Sequence, residues 1–365
     1  MEDQNFTIIS YVMLTGLAIV ERERTVQSLY HMVRGRKASQ VLQDVHHFVL
    51  YPYYRLFPQL SRESWDEIVK YLHDNKYIEE MNWTDHNKKS FYVTEKGREK
   101  IKEVDNEHQL TYKLSLIDGL RFTPKVERFR KHLHLVVQTV SHLLFEDMRF
   151  SPIISHKDIQ RTVKQLLATP QARKAWITGL ERELYQLLSI YSADIQEQLF
   201  DQLTGVGQVG MTWQQLAYKN NMPLVLFQLS MTGIWTQVYK EVEENHDKYP
   251  LLTMLIEDDS RALLSVSTST METYRLLQKG ADIQEIAVRR NIKSNTVEDH
   301  IIEIALAGIP LDFSRWITKG QINEVNQVSK QYETKRLRLI KDELGNSYTY
   351  LQIRLALALK GGPNG

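Results

Sequence analysis

The sequence predicts a mainly α-helical chain of several domains, and three observations predict it. Apolar residues recur at three- and four-residue spacing over most of the 365 positions. Alternating runs that could pair as strands are confined to the stretch between Tyr77 and Val93. A pattern that opens on Gly and closes on Asn plus an apolar residue occurs at 210–222 and again at 280–292. The composition agrees: 42% hydrophobic and 25% charged residues are the proportions of a globular protein, and the length suits two or three domains.

With no cysteine in the chain, disulfides, thiolate zinc sites, iron–sulfur clusters and a cysteine nucleophile are excluded. The start, Met1-Glu2-Asp3-Gln4, lacks the positive region of a secretory signal. The longest uncharged stretch, Asn220 to Tyr239, contains Asn, Pro, Gln and Thr and makes a poor membrane span. A cytoplasmic location is expected. Lys and Arg number 46 against 45 acids, so the chain as a whole is no basic nucleic-acid coat. Contacts with nucleic acid must come from local clusters of charge.

Three segments separate by pattern: 1–105, 106–262 and 263–360. The tail 361–365 reads as disordered. In the first segment, Val26, Leu29, Tyr30 and Val33 share one helical face. The turn Arg34-Gly35-Arg36-Lys37 precedes Ser39, the expected N-cap of the next helix. Amide groups at a helix start beside three cations suit a phosphate, so Arg34, Arg36, Lys37 and Ser39 are candidate DNA contacts. An exposed turn with ordinary surface cations is the alternative.

Ser61 can cap a helix carrying Trp65, Ile68, Val69 and Leu72 on one face. Tyr77–Met81 then reads as a strand, Thr84–Lys89 as a polar turn, and Ser90–Val93 as a second strand. Thr94 can cap a last helix through Ile101. Helix, hairpin and Val93-Thr94-Glu95-Lys96-Gly97-Arg98-Glu99-Lys100-Ile101 resemble the end of many bacterial winged-helix domains.

The segment 106–262 is helical throughout. Arg121, Lys125, Arg128 and Lys131, with Arg130, form a basic cluster near Glu127 and are further candidate DNA contacts. A solvated helix face is the alternative. Gly205-x-Gly207-x-x-Gly210 matches a dinucleotide fingerprint by letter only, since no strand precedes it. No P-loop or HExxH motif is present, and no third ligand accompanies His134 and His142. Neither a cofactor, a metal nor enzymatic activity is expected.

The repeated windows each offer Gly210 or Gly280 to end a helix, and Thr212 or Asp282 to cap the next. Small Ala217 and Ala287 allow close approach, and Asn221 and Asn291 stand where a left-handed residue is needed. Tandem helix-turn-helix units result, the first at 210–231. In such units the second helix reads bases with basic or amide side chains. Here Ser294 to Ala307 carries Glu298, Asp299 and Glu303 without Lys or Arg, and Pro223 to Trp235 is almost wholly apolar. Packing or partner binding suits both better than base reading.

Before the second copy, Leu264 to Thr270 is either a linker or the lead-in to a helix. After it, Lys335, Arg336, Arg338 and Lys341 line a helix and, with Arg315 and Arg354, make the expected phosphate-facing surface of the C-terminal half.

From Met271 to Leu359 the chain resembles the helix-turn-helix module at the C-terminus of some bacterial RecQ-type helicases. The residues that carry this are Thr273-Tyr274-Arg275-Leu276-Leu277, Ile286-Ala287, Ser294 to Ile301, Leu337 to Lys341 and Tyr350 to Leu355. The whole arrangement, with Ser28-Leu29-Tyr30-His31 and Lys37-Ala38-Ser39-Gln40, is similar to the YpbB family, standalone proteins encoded beside a RecQ-like helicase. The resemblance implies a helicase-associated role in DNA repair or replication.

The expectation is therefore a mainly α, multi-domain protein: an N-terminal winged helix with a small β-hairpin wing, a helical middle, and a C-terminal helix-turn-helix module. Its expected function is that of a non-catalytic accessory of DNA transactions with a RecQ-like DNA helicase as partner. Whether duplex, fork or single strand is bound stays open, as does oligomeric state. A sequence-specific transcription regulator and a pure protein-interaction adaptor are the alternatives.

Overall fold

The computed structural model describes residues 2–82, 89–147, 149–256, 266–345 and 347–359. The tail 361–365 and most of the polar turn expected at 84–89 lie outside the described residues.

Along the chain come α1 (Glu2–Val20), α2 (Val26–Val33), α3 (Ser39–His47), α4 (Arg62–Asp74), β1 (Ile78–Asn82), β2 (Lys89–Val93) and α5 (Glu95–His108). The middle holds α6 (Leu110–Ser115), α7 (Thr123–Leu144), α8 (Lys157–Leu166), α9 (Pro170–Leu188), α10 (Ala193–Phe200), α11 (Trp213–Lys219), α12 (Leu224–Glu244) and α13 (Pro250–Thr253). The last stretch holds α14 (Thr268–Gln278), α15 (Ile283–Arg290), α16 (Ser294–Leu306), α17 (Lys319–Gln331), α18 (Leu337–Glu343) and α19 (Tyr350–Leu359). The fold is mainly helical, with one two-stranded antiparallel sheet among the described residues.

Two compact units form: Met1–Ile9 with Val104–Asp258, and Ser10–Glu103 with Asp259–Gly365. The sequence divides the chain into three segments, near 105 and 262. The grouping differs, because the first and third segments share a unit.

In the first unit, α7, α9 and α12 supply Phe129, Leu133, Val136, Trp176, Leu180, Phe227, Met231 and Trp235 to one core. Gly233 of α12 lets Leu116 approach, since a Cβ there would stand 2.9 Å from the Leu116 Cβ. The buried amide of Gln202 accepts from the indoles of Trp213 at 2.7 Å and Trp235 at 3.2 Å. The N-cap residue of α12 is Pro223, which offers no side-chain acceptor. Asn5 supplies one instead, accepting from the Val225 amide at 3.1 Å.

The N-terminal part of the second unit is the expected helix-and-hairpin arrangement. Ser61 caps α4 by accepting from the Ser64 amide at 3.1 Å. Strands β1 and β2 pair antiparallel, Ile78 opposite Val93 and Glu80 opposite Phe91. Thr94 caps α5 through the Gly97 amide at 3.1 Å. Gly97 itself is required, because a side chain would run into the carbonyl of Tyr77. Glu21 ties the hairpin down by accepting from the Val93 amide at 2.7 Å and pairing with Arg98.

In the C-terminal part, α14 to α19 close a core of their own around Ile286, Val297, Ile301, Val325, Ile340 and Ile353. Ser267 caps α14 by accepting from the Thr270 amide at 3.0 Å. The described part of the serine- and threonine-rich stretch is thus a helix lead-in rather than a linker.

Candidate nucleic-acid interface

The two helix-turn-helix units are built alike, and their local chemistry explains it. Thr212 caps α11 in a reciprocal box with Gln215, and Asp282 caps α15 in the same way with Glu285. Asn221 and Asn291 both take the left-handed conformation, with φ of 49° and 52°. The next residue then donates back to the small alanine: Met222 to Ala217 at 2.9 Å, Ile292 to Ala287 at 3.0 Å. Phe227 and Val297 seal the second helix onto the first. One expected equivalence fails. Gly280 ends α14 with φ of +88°, whereas Gly210 is a close-approach residue whose side chain would collide with the carbonyl of Gln202.

The second helices are enclosed. In α12, residues from Val225 to Val242 fill the core of the first unit. In α16, no residue from Val297 to Leu306 is exposed, because α3, α14, α15 and α19 all lie against it. Two of its carboxylates have partners within the unit. Asp299 pairs with Arg354. Glu303 accepts from the Ser267 amide at 2.8 Å and from the Thr270 hydroxyl at the start of α14. Burial raises the Glu298 carboxyl. The Thr273 hydroxyl lies 2.7 Å from Nδ1 of His300, whose ring is pushed down to about 4 by burial and by Arg290. The sequence suggested carboxylates that repel phosphates; the structure engages Asp299 and Glu303 with partners inside the unit, while the Asp299 side chain stays 45% exposed.

Helix α4 lies directly before the hairpin. It exposes Arg62, Glu63, Asp66, Glu67, Lys70, His73 and Asp74. Arg62 is paired with Asp66 at 3.1 Å, so carboxylates dominate that face.

The candidate cations fall into three groups. Arg34, Arg36 and Lys37 stand exposed on a turn whose Gly35 has φ of +70°. Arg34 donates to the Tyr30 hydroxyl at 3.2 Å and, like Arg62, lies over its ring. The His31 ring is held below its ordinary range by burial, then by Arg36, Arg62 and Arg34. A cationic corner therefore exists there. Ser39 is not the expected N-cap: Ala38 holds that place without a side-chain bond. The Ser39 hydroxyl instead accepts from Nη2 of Arg354 at 2.7 Å.

The middle cluster is charge-balanced. Arg121 lies 4.0 Å from Asp118, Lys125 3.9 Å from Glu243, and Arg128 2.6 Å from Asp158. Lys131 Nζ is 3.3 Å from Nε2 of His156. Arg130 stacks on Trp213 with its guanidinium 4.5 Å from the ring centre.

The C-terminal cations do not form the single surface expected of them. Arg315 donates to the carbonyls of Leu277, Gly280 and Ala281 at 3.2–3.4 Å, closing the end of α14. Arg354 is drawn inward because α19 is buried around it, and its side chain is only 13% exposed. Arg336 lies 3.9 Å from Glu23, and the Lys335 amide donates to the same carboxylate at 3.2 Å. Arg338 sits 3.9 Å from Asp342, and the Lys341 ammonium lies over Tyr350.

Glu23 and Gln43 escape sequence reasoning, because their partners lie far away in the chain. Among the described residues, no group of three His, Asp or Glu is placed to hold a metal. His142 is engaged by the Asp147 carbonyl at 2.6 Å and stacks on Phe150. Among the described residues, no helix is long and apolar enough to cross a membrane.

Residues 269–357, which span α14 to α19, match a helix-turn-helix domain family, a type of module that suggests DNA binding or regulation. Over 352 residues the chain is 24% identical to protein YpbB of Bacillus subtilis (strain 168), covering 95% of this chain and 96% of that protein. No solved structure matches.

Proposed function

We propose that the protein is a non-catalytic accessory of DNA transactions in the cytoplasm and a partner of a RecQ-like DNA helicase. In this reading its helix-turn-helix units serve as scaffolding rather than as base readers. The observation that carries it is the contrast between the enclosed second helices and the exposed cations Arg34, Arg36 and Lys37. Cations on a turn hold phosphates without reading bases, which suits an accessory that follows a helicase onto many sequences. The helicase partnership is supported by the likeness of the residues from Met271 to Leu359 to the module of RecQ-type enzymes.

Affinity capture of the full chain, repeated after nuclease treatment, tests the partnership. Retention of the helicase is expected, and its loss would refute a direct contact. Changing Arg34, Arg36 and Lys37 together to Ala should weaken binding to forked DNA. It should also flatten the salt dependence by about 0.9 in slope for each phosphate contact removed. Unchanged affinity would take this turn out of the DNA site.

The adaptor reading draws on one observation of its own, the carboxylate-rich exposed face of α4. A regulator that reads an operator would need a second helix presented to the groove, and α12 and α16 are both covered.

A further inference from the structure

Among the described residues, the apolar core of the C-terminal helices is made by residues between Val266 and Leu359. Helix α3 nevertheless lies along α16, some 250 positions away in the chain. Polar contacts join the N-terminal part to this module at two ends. At one end, Arg354 donates to the Ser39 hydroxyl at 2.7 Å and to the Gln43 amide oxygen at 3.3 Å, and it pairs with Asp299. At the other end, Glu23 accepts from the Lys335 amide at 3.2 Å and the Thr334 hydroxyl at 3.3 Å, with Arg336 at 3.9 Å. Between the ends lies His47, whose ring nitrogens are buried and make no hydrogen bond among the described residues.

Such a junction differs in kind from the two cores beside it. Charged and hydroxyl groups exchange protein partners for water at modest net cost, whereas exposing an apolar core does not. Polar contacts between separately cored parts are the ordinary setting for relative motion. A buried imidazole left without a partner also favours opening.

We propose that this junction is a releasable latch: the N-terminal helix-and-hairpin part comes off α16 as one body while α14 to α19 stay folded. Glu23 and Arg354 are its two fastenings. Release uncovers the Glu298 and Asp299 face of α16. That face is anionic, so opening creates no surface for duplex DNA. The latch concerns contacts within the chain and stands whether or not a helicase is the partner.

If the part moves as one body, loosening either fastening must loosen the other. In the full chain, Glu23→Gln should raise carbodiimide labelling of Glu298 and Asp299, at the opposite end. Arg354→Ala should raise hydrogen exchange at the Lys335 amide, again at the opposite end. A roughly tenfold change is expected from losing one charge-assisted hydrogen bond. Peptides of α17 and of α19 outside Arg354 should keep wild-type protection. Raised salt should act on the wild type in the same sense, because the Glu23–Arg336 pair across the junction is partly open to solvent. Effects confined to the mutated end would overturn the proposal, as would loss of protection throughout α14 to α19. Should Arg354→Ala not fold, the Glu23→Gln arm and the salt series still decide.

Discussion

The unit at 210–231 and its counterpart at 280–301 share a capping box, a left-handed asparagine and a bond back to a small alanine. They diverge just after the turn. Helix α12 runs for 21 residues through the centre of the first unit and is apolar on most sides. Helix α16 stops after 13 residues and is covered by polar as well as apolar neighbours. The shared pattern specifies a turn between two helices. What the second helix then meets is decided by its outward side chains and by whatever part of the chain arrives to cover them.

Core truncation at the matching position separates the copies most strongly. Phe227→Ala should cost about 3–5 kcal/mol and Val297→Ala less, since less volume is removed. Urea unfolding followed by hydrogen exchange in each unit would read this. Equal costs would show that the volume removed does not set the difference between the two copies.

Acid gives the next largest effect. Burial, with Arg130, pushes the His134 ring down to about 3. Its folded value lies below its unfolded one, so the unfolded chain binds the proton first. The stability is complete above about pH 6.5 and is lost as pH falls toward 3. Between pH 7 and pH 5 the loss should be about 2 kcal/mol, and His134→Leu should flatten that slope in the first unit. His300 acts in the same sense in the second unit, over a window that closes near 4. An unchanged slope in the His134 variant would show that the ring is already hydrated.

The caps should behave alike. Thr212→Ala and Asp282→Ala are each expected to cost about 1 kcal/mol, seen as similar losses in the two units. A large inequality would mean that the boxes are not equivalent. Smallest of all, Asn221→Gly and Asn291→Gly should change stability by a few tenths of a kcal/mol, because glycine takes the left-handed conformation without strain. Ala in either place should be distinctly worse.

Much of the fold was legible beforehand. The pattern around Ser61 and Thr94 announced α4, the hairpin and α5, with strand edges off by a residue. Helix α1 was not legible, because Tyr11, Val12, Met13, Leu14 and Leu17 are all buried and no polar stripe marks its period. The cationic corner at Arg34, Arg36 and Lys37 could be seen as a turn with charges. The surface expected of Arg315 and Arg354 could not survive folding. One arginine closes a helix end, and the other is pulled inside by α19.

The chain by itself determined what depends on residues within about five positions: capping boxes, left-handed asparagines, the hairpin and the apolar faces of its helices. Only the tertiary structure decided that α3 covers α16, that Glu23 meets Lys335, and that Ser39 meets Arg354. Periodicity shows that a helix has a side to bury, but polar partners hundreds of residues apart leave no mark on each other's local pattern. Their pairing exists only once two separate cores have formed and brought them together.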